Sequence, residues 1–247
     1  MMINDVLKIG NETFTSRFFL GSGKTSRYTE ELISSAVKDG GVELISVAIK
    51  TLDTEDDPIR MIPENVKILP NTLGASTAEE AIKMAMTARD RGLGNMIKIE
   101  IMNDSKYLLP DNNETIKATS ELADKGFDVI PYIYPSLPIC KLLRDAGAAA
   151  IMPLASTSGS NKGLATRDFI QVLLHEINLP IIVDAGIGRP SQACEAMEIG
   201  CAGVMANTAL ASAANQHLMA NAFKYAIMAG REAYLSGSEL QSENIII

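Results

Sequence analysis

The stretch Met96-Ile97-Lys98-Ile99-Glu100-Ile101 carries the pattern that decides the fold. Its branched apolar residues predict a β-strand. Side chains alternate along a strand, so the three isoleucines share one face, while Met96, Lys98 and Glu100 share the other. A strand of a parallel barrel is packed on both faces. We therefore expect the isoleucines to contact outer helices and the other three side chains to point into a barrel.

Similar short apolar runs recur along the chain and alternate with segments of helical period, which is typical of βα units around a parallel sheet. The predicted strands are 17–20, 42–49, 67–70, 96–101, 128–133, 149–153, 179–184 and 203–206. The predicted helices are 26–39, 77–91, 114–125, 136–146, 167–177, 191–199 and 212–234. Residues 50–64 are predicted to form a solvated acidic loop.

Eight strands favour a closed (β/α)8 TIM barrel of the α/β class. The 247 residues match the usual length of one such barrel, so the sequence predicts a single domain over 1–247, with a short polar tail from about residue 236. An open doubly wound sheet would be expected to carry a nucleotide fingerprint, and no GxGxxG follows the first predicted strand.

Composition restricts the partners. The net charge is −8, and no segment gathers Lys and Arg on one face, which argues against nucleic acid and anionic membranes. Three widely spaced cysteines without a CxxC motif indicate a reducing compartment, and the two histidines lack metal-ligand spacing. No apolar run reaches transmembrane length, and the first residues do not resemble a signal peptide. We therefore expect a cytoplasmic protein with no metal.

Lys98 and Glu100 on an inner strand face call for an explanation, since unpaired buried charges are unfavourable. Barrel enzymes carry out their chemistry at the C-terminal ends of the strands. A lysine buried there would have a lowered pKa, leaving a neutral amine that attacks a carbonyl. Glu100 could then move protons as the imine tautomerises, and Asp184 at the end of the seventh strand offers a second carboxylate. A purely structural buried ion pair is the alternative.

The loops after strands 6, 7 and 8 are candidates for a phosphate site, because barrels often bind phosphate there. Gly186 and Gly188 leave backbone N–H groups unshielded after strand 7, Asn207 and Thr208 add polar donors after strand 8, and Gly159 lies in a small polar loop after strand 6. Each glycine alone is more often a turn residue. Together they predict an anion cradle.

At this point the sequence resembles the thiazole synthase family of thiamine biosynthesis. The resemblance spans nearly the whole chain. It is carried by the stretches Gly21-Ser22-Gly23-Lys24, Leu69-Pro70-Asn71-Thr72-Leu73-Gly74-Ala75-Ser76-Thr77-Ala78-Glu79-Glu80-Ala81, Ile97-Lys98-Ile99-Glu100, Leu108-Leu109-Pro110-Asp111, Gly126-Phe127-Asp128-Val129-Ile130-Pro131-Tyr132, Ala150-Ile151-Met152-Pro153-Leu154, Val183-Asp184-Ala185-Gly186-Ile187-Gly188, Asn207-Thr208-Ala209 and Ala229-Gly230-Arg231.

The resemblance implies that Lys98 forms a Schiff base with the ketone of 1-deoxy-D-xylulose 5-phosphate. Sulfur would come from the C-terminal thiocarboxylate of a small sulfur-carrier protein, and carbon and nitrogen from a glycine-derived imine (dehydroglycine) made by another enzyme. It further implies that the acid–base pair is Glu100 with Asp184, and that a homo-oligomer forms, dimer or tetramer. The implied sugar-phosphate site is Gly159, Ala185, Gly186, Asn207 and Thr208. No organic cofactor or metal is implied.

Two other functions remain open on the residues alone. A class I aldolase acting on a sugar phosphate would also place a lysine on an inner strand. A non-catalytic barrel could keep the fold and only dock the sulfur carrier.

Overall fold

The computed structural model describes residues 5–21, 28–54, 57–103, 106 and 108–237. Its centre is an eight-stranded parallel sheet. The strands are β3 (Phe18–Leu20), β4 (Leu44–Ala48), β5 (Lys67–Asn71), β6 (Met96–Ile99), β7 (Asp128–Ile133), β8 (Met152–Pro153), β9 (Ile182–Val183) and β10 (Gly203–Ala206). They lie side by side in the order β8-β7-β6-β5-β4-β3-β10-β9. Bridges between Ile151 and Ile181 and between Leu154 and Asp184 join β8 to β9. The sheet therefore closes into the predicted (β/α)8 barrel.

The helices follow the predicted alternation. They are α1 (Glu30–Ser34), α2 (Ala78–Asp90), α3 (Asn112–Asp124), α4 (Leu137–Asp145), α5 (Arg167–Glu176), α6 (Pro190–Glu198), α7 (Thr208–Ala211) and α8 (Gln216–Leu235). Side-chain caps fix several starts: Thr77 accepts the backbone N–H of Glu80 at 3.2 Å, and Asp111 accepts that of Glu114 at 3.1 Å. In the described residues no helix is both long and apolar enough to cross a membrane.

One βα unit departs from the prediction. The first helix was expected over 26–39; residues 26 and 27 lie outside the described part, α1 begins at Glu30, and Ser35–Asp39 continues it as a π-helical turn. Between β4 and β5 a loop and no α-helix was predicted, and the described residues there hold two short 3-10 turns, Ile49–Thr51 and Ile59–Met61. The ladder strands β8 and β9 are also shorter than predicted, because pairing beyond them continues only as isolated bridges.

An N-terminal hairpin that the sequence patterns did not predict precedes the barrel. Its strands β1 (Leu7–Ile9) and β2 (Glu12–Phe14) pair antiparallel around a turn at Gly10 and Asn11. Leu7, Ile9 and Phe14 are buried in the same apolar cluster as inward side chains of the barrel, among them Met96 and Ile130. The hairpin therefore helps to fill the barrel interior, and a second apolar cluster lies between the barrel and its helices.

Candidate functional site

The register of β6 matches the sequence prediction. Ile97, Ile99 and Ile101 belong to the cluster between barrel and helices, whereas Met96 belongs to the interior cluster. Lys98 therefore points into the barrel, where only 2% of it is exposed. The strand places an amine in a nearly water-free interior, a location that requires counter-charge.

Two carboxylates supply that counter-charge. The Nζ atom of Lys98 donates a hydrogen bond to Asp184 Oδ2 at 2.6 Å and lies 3.4 Å from Glu100 Oε2. Glu100 is two residues along the chain on the same face, while Asp184 comes from the end of β9. Both carboxylates are buried, with exposures of 7% and 9%. The fold thus brings together the three predicted catalytic side chains in one cluster.

The neighbouring loop holds the Asp184 carboxylate in place. Its Oδ1 atom accepts the backbone N–H of Ala185 at 2.6 Å, leaving Oδ2 for the lysine. Ala185 has φ +57°, a left-handed conformation that a non-glycine residue adopts at a cost of about 1 kcal/mol. The strained turn therefore orients the carboxylate towards Lys98.

The electrostatics of Lys98 differ from what burial alone predicts. Burial lowers the pKa of Lys98, but the charges of Asp184 and Glu100, together with the hydrogen bond to Asp184, outweigh it, and the pKa lies above its ordinary value. The expected neutral resting amine was wrong, because the two carboxylates beside Lys98 oppose the effect of burial on its pKa. The resting amine is an ammonium, which must lose a proton before it can attack a carbonyl.

Glu100 shifts towards its protonated form. Burial raises the pKa of Glu100, Lys98 opposes this, and the negative charge of Asp184 raises it further, with a net shift upwards. Its Oε2 atom is buried and accepts no hydrogen bond from the described part of the chain. A carboxyl group in this state can donate a proton to a bound substrate.

The five residues predicted to hold a phosphate line one cavity at the C-terminal ends of β9 and β10, together with Asp184. They are Gly159, Ala185, Gly186, Asn207 and Thr208. The cavity therefore adjoins the amine cluster through a shared carboxylate. Asn207 donates from Nδ2 to the carbonyl oxygen of Gly21, while its buried Oδ1 has no hydrogen-bond partner among residues 5–21, 28–54, 57–103, 106 and 108–237.

Glycine suits two positions of this cavity for different reasons. A Cβ on Gly186 would meet the Ser156 hydroxyl oxygen at 1.8 Å, so close packing with the loop after β8 excludes any larger residue. A Cβ on Gly159 would meet nothing within 4 Å, although its φ of +74° favours glycine. Gly159 thus leaves open space, whereas Gly186 joins two loops.

A larger cavity, of about 870 Å³, lies away from this cluster, between α8 and the segments that lead into β3 and β4. Asp5 sits there between Arg17 and Arg231, each 2.7 Å from its Oδ1. The Arg231 hydrogen bond, aided by Arg17 and opposed by burial, lowers the pKa of Asp5 to about 2. This network lies near the N-terminal ends of the strands, which in barrels serve stability rather than chemistry.

Similarity to known proteins agrees with the geometry. The family described as "Thiazole biosynthesis protein ThiG" matches residues 8–245. A thiazole synthase of Fusobacterium nucleatum is 56% identical over 236 residues, 95% of this chain and 91% of that protein. One of Clostridium beijerinckii is 57% identical over 238 residues, 96% and 92% of the two chains. The chain belongs to the thiazole synthase family of thiamine biosynthesis.

Solved structures support the same assignment. The Amycolatopsis orientalis BexX/CysO complex contains a chain that is 30% identical with a TM-score of 0.84, covering 95% of this chain and 97% of that chain. A mandelate oxidase structure, 10% identical with a TM-score of 0.62, shares the fold alone. The predicted family, activity and barrel are confirmed, and thiazole synthesis is favoured over the aldolase and the non-catalytic barrel.

The predictions missed one side chain of the thiazole synthase cluster. Tyr132, on the inner face of β7, places its ring centroid 5.0 Å from Lys98 Nζ and is 1% exposed. The register could have identified it, because Ile130 pairs with Lys98, and Tyr132 follows two residues later on the same face.

Proposed function

We propose that Lys98 opens thiazole assembly by forming a Schiff base with the ketone of 1-deoxy-D-xylulose 5-phosphate. The observation that carries this proposal is the amine itself, buried between two carboxylates beside the cavity at the C-terminal ends of the strands. A purely structural ion pair between Lys98 and Asp184 would not need Glu100 as a second carboxylate, whose Oε2 atom lies 3.4 Å from the same amine and accepts no hydrogen bond from the described residues.

The protonation states of Lys98, Asp184 and Glu100 suit imine formation. Asp184 Oδ2, 2.6 Å away, takes the proton that the Lys98 ammonium must lose. The free amine attacks the ketone carbon, and the proton that the attacking nitrogen then loses converts the oxygen into the hydroxyl of a carbinolamine. Glu100, whose pKa is raised, donates a proton to that hydroxyl, which leaves as water while the C=N bond forms. Proton transfer by positioned carboxylates contributes about 10²–10⁴-fold.

The same two carboxylates serve the later steps. After dehydration, Glu100 and Asp184 are the acid–base groups that move protons between carbon and nitrogen as the imine tautomerises. Two carboxylates beside one nitrogen allow one to accept a proton while the other donates.

The cavity beside Asp184 is the proposed phosphate subsite. Backbone N–H groups at Gly159 and Gly186 and the polar side chains of Asn207 and Thr208 would bind the sugar phosphate. Ala185 lines this subsite, while its own N–H is donated to Asp184 Oδ1. Backbone amides with little side-chain cover are suitable for anions in a chain of net charge −8, because local donors then provide the attraction that the overall charge does not.

The remaining ring atoms come from two further partners. We propose that sulfur arrives on the C-terminal thiocarboxylate of a small sulfur-carrier protein, and that carbon and nitrogen arrive as dehydroglycine from a separate enzyme. The similarity to BexX, which was solved in complex with CysO, supports a docked protein partner.

We further propose that the chain works in the cytoplasm as a homo-oligomer. Three exposed apolar residues on α8 would suit contact with a second copy: Leu218, Tyr225 and Met228. The mass of the purified protein in solution tests the oligomer.

Reconstitution tests the function. The full chain is combined with the sugar phosphate, a thiocarboxylated carrier and dehydroglycine, and thiazole phosphate is measured. We expect turnover that Lys98→Ala abolishes. Cleavage of the sugar without uptake of sulfur would support an aldolase, and binding of the carrier with no reaction would support a non-catalytic barrel. Either result would overturn the proposal.

A further inference from the structure

The buried hydroxyl of Tyr132 has no hydrogen-bond partner in the described part of the chain. The residue is 1% exposed, and its backbone is fixed in β7 by pairing with Met152. Buried polar groups in native proteins are nearly always hydrogen-bonded, so a buried hydroxyl without a partner requires an explanation. A bound ligand that supplies the missing hydrogen-bond partner is one such explanation.

The surroundings of Tyr132 contrast with those of Tyr28. The Tyr28 hydroxyl donates a hydrogen bond to the backbone carbonyl of Ser46. Both tyrosines lie close enough to Asp184 and Glu100 for the two carboxylates to raise their pKa values further, beyond the larger effect of burial. The Tyr28 hydroxyl is therefore hydrogen-bonded within the protein, whereas the Tyr132 hydroxyl has no partner among the described residues and is available to a ligand.

Tyr132 also lies at a height in the barrel that suits contact with a substrate bound to Lys98. Ile130 pairs with Lys98, so Tyr132, one inward position further on, lies nearer the C-terminal end of the strands. Its ring centroid is 5.0 Å from Lys98 Nζ. The phenol therefore lies beside the amine, one inward position towards the end of the barrel at which barrel enzymes carry out their chemistry.

The Tyr132 hydroxyl is protonated and can therefore donate a hydrogen bond. Burial, followed by the charges of Asp184 and Glu100, raises the pKa of Tyr132 well above its ordinary value, so the phenol keeps its proton. The Oε2 atom of Glu100 is buried and also accepts no hydrogen bond from the described residues. Both groups lack a hydrogen bond within the described residues, although Glu100 keeps its 3.4 Å ion pair with Lys98.

We propose that the Tyr132 hydroxyl donates a hydrogen bond to the ketone oxygen of the substrate. The same bond holds this oxygen as Lys98 attacks and negative charge develops on it. The oxygen then takes one proton that the attacking nitrogen loses and a second proton from Glu100, and it leaves as water. This inference rests on the proposed Schiff base and adds a substrate-contacting residue to it.

Tyr132→Phe tests the proposal, because it removes the hydroxyl and keeps the ring beside Lys98. The sugar phosphate is mixed with the full chain, samples are quenched with borohydride at timed intervals, and the reduced adduct is measured by mass. We expect the rate of imine formation to fall about 10²-fold, the usual effect of removing one donor to a developing oxyanion. In steady-state turnover, kcat should fall more than KM rises.

Stability separates this role from a structural one. The hydroxyl has no hydrogen-bond partner to lose among the described residues, so the thermal midpoint of Tyr132→Phe should equal or exceed that of the wild type. Tyr28→Phe should lower the midpoint, because it loses the bond to Ser46. Tyr234→Phe, at an exposed position near the end of α8, keeps the ring beside Arg231 and should change neither rate nor midpoint.

Three results would overturn the inference. A Tyr132→Phe variant that forms the imine at the wild-type rate would exclude the hydrogen bond to substrate. A fall in rate together with a clearly lower midpoint would assign the hydroxyl a structural role. If the wild type itself gave no adduct, both the proposed Schiff base and this inference would be refuted. If the wild type formed the adduct normally and the variant was unimpaired, only this inference would be refuted.

Discussion

Lys98→Met changes the charge of the buried cluster while nearly keeping its volume. The variant leaves Asp184 and Glu100 in the barrel without the ammonium that lies 2.6 Å and 3.4 Å from their oxygens. Removing one partner of a buried ion pair costs about 3–5 kcal/mol. A domain is stable by about 5–15 kcal/mol, so the variant should fold but unfold more easily.

The loss should depend on pH. Burial raises the pKa of Glu100 and Lys98 opposes this, so without the lysine the pKa rises further. The folded variant then binds more protons than the unfolded chain, and its stability decreases as the pH rises above the ordinary pKa of a glutamate. The difference from wild type should be largest near about pH 8 and smaller near about pH 5.

Urea unfolding followed by circular dichroism at both pH values measures this difference. The double variant Lys98→Met/Asp184→Asn, which also removes a carboxylate charge, should recover much of the lost free energy. A loss below about 1 kcal/mol near pH 8, or a loss that grows towards acid pH, would show that the amine does not neutralise this cluster.

Three further outcomes are expected. Glu100→Gln should lower kcat by about 10²–10⁴-fold while the fold persists, and full activity in steady-state assays would remove it as the acid. Gly186→Ala should clash with Ser156, whose oxygen lies 1.8 Å from the added Cβ, so phosphate affinity measured by calorimetry should fall; unchanged affinity would argue against this loop as the cradle. The pKa of Asp5 is lowered to about 2, so its pairing stabilises the fold above the ordinary aspartate pKa, and this stability is lost as the pH falls through 2. Asp5→Asn should therefore lose about 1–2 kcal/mol near neutral pH in urea titrations, and an equal loss at about pH 2 would contradict the pairing.

The barrel and the meeting of the site loops could be predicted because both follow from local pattern and one topological rule. Alternating side chains set the inward position of Lys98. The carboxyl ends of parallel strands share one end of a barrel, so Gly159, Gly186 and Asn207 had to come together once the strands were recognised.

The remainder depends on distances that no local pattern encodes. The raised pKa of Lys98 follows from its 2.6 Å contact with Asp184, a residue on a different strand. Tyr132 matters because its ring lies beside Lys98 and its hydroxyl has no hydrogen-bond partner in the part of the chain that the structure describes, whereas the sequence shows only its place on a strand. The hairpin around Gly10 was overlooked because its three-residue strands are shorter than the runs that indicate a strand.

Borohydride trapping tests the central claim most directly. The full chain is incubated with 1-deoxy-D-xylulose 5-phosphate, reduced, digested and mapped by mass spectrometry, with Lys98→Ala alongside. The proposed chemistry predicts one reduced sugar-phosphate adduct on the peptide that contains Lys98 and none in the variant. An adduct on another lysine, or no adduct in the wild type, would contradict it.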